Sequence, residues 1–302
     1  MKGSAATVAL FFVFVSVPLL GMIPGIFVAA PGIYFALKSG RVVGSSVVAI
    51  TAALLAGTGD VAAAAIYLLQ GGIITLALPE FLIRGKGGAR SVVYTAAIDL
   101  VALLGAALLY GALTGTDLHA KVLKGIEGSI KQSVLLYQQM GIKGEELTAL
   151  QQTLQQAAGV ILNIYPSLLT VTLGALAALN LLVVAKYVTR LPRPVHLGEF
   201  RKYRNPEPLV WLLILAGFGT LVPQPLVHLA ALNVLIVLCA LYAVQGLAVI
   251  VHYFTRFAVP TFIRLMACLI IVLQPFLALA VVALGVFDLW GDFRTPKNKE
   301  NL

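Results

Sequence analysis

Apolar residues run along this chain in long unbroken stretches, parted by short breaks rich in glycine, proline or charge. Nine such stretches can be read: Ala5 to Leu20, Ile26 to Leu37, Val42 to Ala56, Val61 to Ile83, Ser91 to Leu113, Ala157 to Ala185, Pro208 to Val222, Leu226 to Phe254 and Thr261 to Phe287. A helix needs roughly 20 apolar residues to cross a bilayer. In hydrocarbon every backbone amide must be satisfied inside a helix or a closed barrel. Barrel strands alternate apolar and polar positions, and these runs do not. The pattern predicts an all-α polytopic transmembrane bundle of about nine spans. The first two stretches are short and fit a tight hairpin or half-buried helices better than two square crossings.

Polarity rises between Thr114 and Gln156. Leu123, Ile126, Ile130, Val134 and Tyr137 recur there at spacings of three and four, which is one apolar helical face. Asp117 can cap the start of that helix. Gly141 and Gly144 break it, and Glu145 opens a second helix that runs into the sixth span. The segment 117–156 therefore reads as an amphipathic hairpin that caps the bundle or lies in the interface on the extracytoplasmic side. A lid over an entrance and a docking surface are the other readings. The chain divides into a six-span bundle with this hairpin, residues 1–190, and a basic loop, three spans and a polar tail, residues 191–302.

Composition strengthens the membrane reading, with 60% apolar residues and a mean hydropathy of +0.98. The net charge is +9, from 21 Lys and Arg against 12 Asp and Glu. These cations sit at span ends, where contact with lipid headgroups and orientation explain them. No basic stripe interleaved with aromatics suggests nucleic acid. Lys38/Arg41, Arg84/Lys86/Arg90 and Lys186 to Arg204 fall on one side if the spans alternate. The positive-inside rule makes that side, and the N-terminus, cytoplasmic in a bacterial inner membrane. Nine crossings would then strand the tail, with Arg294, Lys297 and Lys299, on the wrong side. The first stretch resembles a signal peptide but leads straight into further apolar segments, so it reads as a retained helix. Cys239 and Cys268 lie in apolar runs and read as small hydrophobes, not as a disulfide.

Intramembrane ionisable residues are candidate functional sites. Asp99 is the deepest, able to take a cation or a proton or to form a buried hydrogen bond. Amides within spans are either interhelical glue or the lining of a cavity. Asp99, Asn163, Asn233, Tyr242 and Gln245 are the candidate polar cavity. Glu80 stands four residues before Arg84, a helical ion pair. In the tail, Asp288, Trp290, Asp292 and Arg294 form a second group. A continued helix would put both carboxylates on one face with Arg294 poorly placed. At least one carboxylate should therefore pair with a base from another segment, with Arg201 to Arg204, Arg256 and Arg264 available. Ala5 and Ala9 have the small-residue spacing of a helix–helix contact. No catalytic motif, metal cluster or cofactor loop is present, and no cofactor is expected.

The stretches Phe200 to Trp211, Asn233 through Tyr242 to Val249, and Gly285 to Arg294 resemble the YybS-like family of uncharacterised bacterial multi-pass membrane proteins. That resemblance implies an inner-membrane protein with no established activity. The first six spans, with Ala5 and Ala9, more loosely resemble the substrate-binding subunits of energy-coupling-factor transporters. That likeness implies a small-molecule ligand and a transmembrane partner subunit, although the three extra spans depart from it. The residues thus point to a non-enzymatic protein, surrounded by membrane lipids, that binds or transports a small or amphiphilic solute. An envelope assembly or scaffold protein is the alternative, and an enzyme acting on lipid is the third reading.

Overall fold

The structure is a computed structural model and describes residues 2–16, 22–57, 61–192, 195–291 and 293–294. Regular structure among them is entirely helical. α1 (Lys2–Ser16), α2 (Met22–Ile26), α3 (Ala30–Ser39) and α4 (Arg41–Gly57) are followed by α5 (Val61–Tyr67). A π turn, Leu68–Gly72, joins α5 to α6 (Ile73–Ile83), and α7 (Gly88–Thr114) returns antiparallel to α6. α8 (Leu118–Gln139) and α9 (Glu145–Ala185) form a hairpin, and α10 (Leu209–Gly219), α11 (Pro225–Arg256), α12 (Thr261–Leu273) and α13 (Pro275–Gly291) complete the chain.

Four segments are long and apolar enough to cross a membrane: Val61–Ile83, Gly88–Thr114, Glu145–Ala185 and Pro225–Arg256. The pair α12 and α13, bent by 104°, makes a fifth if counted as one span. The nine expected stretches are thus not nine full-length helices. α1 and α4 have 15 and 17 residues, and α3 has 10, short of the roughly 20 that a square crossing needs. Glycine, proline and turn residues divide this region into short helices that pack on one another instead. Part of the expected first span, with the 58–60 turn and the last residues of the tail, lies outside the described residues.

The first core gathers Ala29, which precedes α3, with Ile33, Leu37, Ile74, Leu78, Leu82, Ala177, Leu181 and Val184, from α3, α6 and α9. A second packs Phe11, Val48, Leu55 and Tyr67, from α1, α4 and α5. Gly32 lies against Thr75, where an added Cβ would sit 2.5 Å from the threonine methyl, so α3 and α6 meet closely. α9 has 41 residues, about 60 Å at 1.5 Å per residue, twice the roughly 30 Å hydrocarbon thickness. Its polar N-terminal part packs with α8. Asp117 Oδ1 accepts from the Ala120 amide at 3.3 Å, the expected cap. Leu123, Ile126, Ile130 and Tyr137 are half-buried and Val134 is buried, so the expected face meets α9.

The basic segments gather at one end. Arg41 and Arg84 both pair with Glu80, joining the starts and ends of α4 and α6. The Gly88 amide donates to the Leu197 carbonyl at 2.7 Å, and Tyr34 meets Tyr187 edge-on. A Cβ on Gly3 would meet Phe35 and Val47, which brings the start of α1 to the same end. The tail arrives there too. Tyr253 Oη donates to the Phe293 carbonyl at 2.8 Å, while Arg294 donates to the carbonyls of Arg201 and Tyr203, both at 2.9 Å. α12 starts at that end as well, since Arg264 donates to the Val259 and Phe254 carbonyls. The bent pair therefore begins and finishes at the same end of α11. The tail's Arg294 thus lies at the same end as the other basic segments.

Candidate functional site

Polar groups buried among these helices fall into three places, and the candidate cavity residues do not share one. Asn233, on α11, sits where Pro166 interrupts α9. Its Nδ2 donates to the Asn163 carbonyl at 2.8 Å and to the Leu229 carbonyl at 2.9 Å. Its Oδ1 accepts from the Ser167 amide at 2.9 Å. Ser167 and Asn163 are the two groups an uninterrupted α-helical ladder would pair. The Asn233 amide is thus inserted into that rung and staples α11 to α9. Asn163 takes part through its backbone, with its side chain exposed.

Twelve residues on, roughly 18 Å along the helix, lies the second place. Gln245, Tyr242 and Asp288 are fully buried. Gln245 Nε2 donates to Asp288 Oδ2 at 3.0 Å, and its Oε1 accepts from the Asn205 amide at 2.9 Å. Asn205 Nδ2 donates to the Leu241 carbonyl and its Oδ1 accepts from the Tyr203 hydroxyl. Arg294 closes the cluster on both Asp288 oxygens, and Arg204 Nε stands 3.7 Å from Oδ2. Close helix approach makes this reachable. A Cβ on Gly285 would fall 2.0 Å from the Tyr242 carbonyl, and one on Gly246 the same distance from the Val281 carbonyl. The α13 helix ends at Gly291, so Arg294 folds back instead of continuing away. Of the tail residues, Trp290 is exposed and Asp292 lies outside the described residues. Burial raises the pKa of the Tyr203 hydroxyl above its ordinary value. This clasp joins α11, α13 and the basic loop, and its charges are matched.

The third place is in the N-terminal bundle and is not matched. The buried stripe of α7 is Gly88, Ser91, Thr95 and Asp99, a polar line at helical spacing. Both Asp99 carboxylate oxygens and Thr95 Oγ1 are buried without a hydrogen-bond partner. The hydroxyls of Ser4 and Thr7 on α1 are in the same condition, while those of Thr51 on α4 and Tyr67 on α5 are buried against each other. Asn180 Nδ2 holds the Ile26 and Leu176 carbonyls at 2.7 and 2.8 Å, leaving its Oδ1 unpartnered. Asn180, Tyr67, Gln70, Gly71 and Phe11 line a void between α1, α2, the π turn and α9. That void has room for about one water. π turns occur often at functional sites, and this one packs on both α4 and α7. It therefore lies between the hydroxyl group and Asp99. Ala5 and Ala9 are on the exposed side of α1, opposite its buried Gly3, Ser4, Thr7 and Phe11. Among the described residues no three His, Cys, Asp or Glu side chains gather as a metal site.

Sequence reasoning found Asp99 from its isolation in an apolar run. It missed Thr95, Thr51, Thr7 and Ser4, whose types are ordinary in spans. Their signal is the four-residue spacing of Thr95 and Asp99, and the polar side that Ser4 and Thr7 give to an otherwise apolar helix. It also missed Asn205, in a loop whose charges drew attention instead. The family model described as "Predicted membrane protein (DUF2232)" matches residues 5–289, nearly the whole chain. This chain belongs to the DUF2232 family of predicted membrane proteins. No curated protein and no solved structure matches it. Family membership agrees with the apolar helices in making this a membrane protein in contact with lipid.

Proposed function

We propose that this DUF2232 protein binds a small or amphiphilic solute in its N-terminal bundle and moves it across a bacterial inner membrane. One observation carries the reading: buried polar atoms of Ser4, Thr7, Thr95, Asp99 and Asn180 lack protein partners, and the hydroxyls of Thr51 and Tyr67 have only each other. A buried donor or acceptor left unsatisfied costs about 1–3 kcal/mol. Five residues in that state inside one apolar bundle, together with the Thr51–Tyr67 pair, are better accounted for by a ligand or water that completes them than by packing alone. The clasp at Asp288 and the staple at Asn233 act as structural glue. Native mass spectrometry of the purified protein tests this. Wild type should retain a small molecule that the Thr51→Val/Tyr67→Phe double variant releases, and a bare wild-type mass would refute the reading.

In this proposal the basic end, with the N-terminus and the tail, is cytoplasmic, and the α8–α9 hairpin is extracytoplasmic. The α12–α13 pair is re-entrant, dipping into the bilayer and leaving on the side it entered. Non-helical backbone at membrane depth is tolerated where protein or a cavity covers it. The exposed Ala5/Ala9 side of α1 is where a transmembrane partner subunit would approach. Labelling of a cysteine placed at Ser39 or Gly87 by an impermeant reagent in intact cells would overturn this orientation. The scaffold reading rests on the hairpin, where Leu135, Leu136 and Met140 are exposed on projecting α8 and its turn. It would gain if deleting 118–156 abolished assembly of an envelope complex while ligand retention survived.

A further inference from the structure

We propose that Asp99 and Thr95 hold a monovalent alkali cation, Na+ in the first instance, on the buried stripe of α7 in the N-terminal bundle. The inference deepens the solute-transport reading and rests on it for its biological role, but the ion site stands on its own geometry. Asp99 is fully buried, as is Thr95 one turn earlier on the same stripe. Neither bonds the other, nor any protein group.

Thr95 departs from the habit of its neighbours. Helical Ser and Thr hydroxyls in this chain commonly donate to the carbonyl four residues back. Ser91 does so to Gly87 at 2.7 Å, Thr75 to Gly71 at 2.7 Å, Thr170 to Pro166 at 2.8 Å and Thr255 to Val251 at 2.8 Å. Thr95 does not, so both lone pairs of its oxygen are available as ligands. A bare carboxylate at this place has no hydrogen bond to the protein. A cation between the carboxylate and the hydroxyl needs no such bond. It binds oxygens too far apart, or too badly angled, to bond each other.

The π turn, which packs on α7, is a further source of oxygen. The Ile73 amide donates to the Leu68 carbonyl, five residues back instead of four. Each such step skips one carbonyl of the ladder, and in an apolar bundle that oxygen needs another partner. Phe81 of α6 meets Tyr94 of α7. Counting back along this antiparallel pair sets Leu68–Gly72 beside residues 103–107 of α7, about one turn beyond Asp99. Side-chain carboxylates combined with carbonyls from a broken helix are a recurring way for membrane proteins to hold Na+.

The purified full-length protein in detergent should bind 22Na+ saturably. Its melting temperature should rise with NaCl, and not with choline chloride at equal ionic strength, because an ion that binds only the folded state stabilises it. Asp99→Asn should abolish both responses, and Thr95→Val should weaken the apparent Na+ affinity by at least about tenfold. Thr95→Ser should restore it. Absence of saturable 22Na+ binding by wild type would overturn the proposal. So would a melting temperature that follows pH in choline and ignores Na+, which would make the site a proton carrier. Retained solute, measured on the same preparations, separates the two claims. Na+ binding without retained solute keeps the ion site and refutes solute binding; retained solute without Na+ binding does the reverse.

Discussion

Replacing Gly285 with alanine should separate α13 from α11. The added Cβ would lie 2.0 Å from the Tyr242 carbonyl and 2.8 Å from the Gly246 amide nitrogen, both backbone atoms of a helix that cannot swing aside. Attractive carbon contacts begin near 3.5 Å, so the helices must part by about 1.5 Å. Asp288 stands three residues further along the same helix. A shift of that size carries its carboxylate out of hydrogen-bonding range of Gln245 Nε2, now 3.0 Å away. Arg294 comes from the same segment and would travel with Asp288, so the buried charge stays paired. Overpacking costs about 1–3 kcal/mol and losing a hydrogen bond to a charged group about 1.5–3 kcal/mol. Together they predict roughly 3–5 kcal/mol, read by SDS titration of the purified protein. Gly217→Ala is the control: it lies within α10 with nothing near an added Cβ. It should be neutral or stabilise by up to about 1 kcal/mol. Gly285→Ala unfolding within about 0.5 kcal/mol of wild type would refute backbone contact at this crossing.

Asn233→Leu should destabilise by roughly 1–2 kcal/mol, because it leaves the Ser167 amide and the Asn163 carbonyl without the inserted side chain; unchanged SDS titration would show the staple to be idle. With Cys239 and Cys268 replaced, cysteines at Tyr253 and Phe293 should be joined by a short bifunctional thiol reagent, and an impermeant label should miss position 293 in intact cells. Val134→Asp on α8 should cost about 2–4 kcal/mol or free the hairpin for proteolysis, whereas Leu136→Asp on its exposed side should do neither. Glu199 accepts from Arg201 and Lys202 at 2.7 and 3.1 Å, and those bonds hold its pKa below the ordinary glutamate value. A folded-state pKa below the unfolded one means these loop contacts are complete at neutral pH and are lost as pH falls through the lowered value. A carboxyl-detected NMR titration should find that low midpoint and show Arg201→Ala raising it.

Legibility from sequence followed the range of each interaction. Glu80 with Arg84 was readable because helical spacing fixes neighbours four apart, yet Arg41 joins the same carboxylate from 39 residues away. The buried face of α8 was readable from its threes and fours, because a polar helix has few ways to hide five apolar side chains. Spans that are apolar all round carry no such stripe, so which side of α1 or α7 faces inward was not written in their hydrophobicity. There the polar residues are the better guide: Ser4 and Thr7, or Ser91, Thr95 and Asp99, mark the buried line. Asn233 opposite Pro166 was readable only in part. A proline inside a helix announces a broken rung, but not which distant amide fills it. The Asp288 clasp depended on Arg294 turning back past the end of α13 at Gly291, where a continued helix had placed it poorly.

The two halves of the chain handle the same problem in opposite ways. Both bury polar side chains in an apolar setting, where a missing partner is most costly. In the C-terminal half nearly every such group is engaged. Asn205, Gln245, Asp288 and Arg294 close on one another, Asn233 completes a helix rung, and of the buried side chains the Tyr242 hydroxyl is left over. In the N-terminal half the unpartnered atoms come from α1, α7 and α9, Thr51 of α4 has Tyr67 of α5 alone, and the π turn packs on both α4 and α7. Helix propensity does not require a buried aspartate there, and apolar packing does not require the buried hydroxyls of Ser4, Thr7, Thr51, Tyr67 and Thr95. A fold that satisfies its polar groups at one end of the sequence and leaves them open at the other is built as a clasped frame beside a receptive core. Ligand searches and substitutions aimed at transport therefore belong at Thr51, Tyr67, Thr95 and Asp99, and substitutions at Gln245 or Asp288 should change stability first.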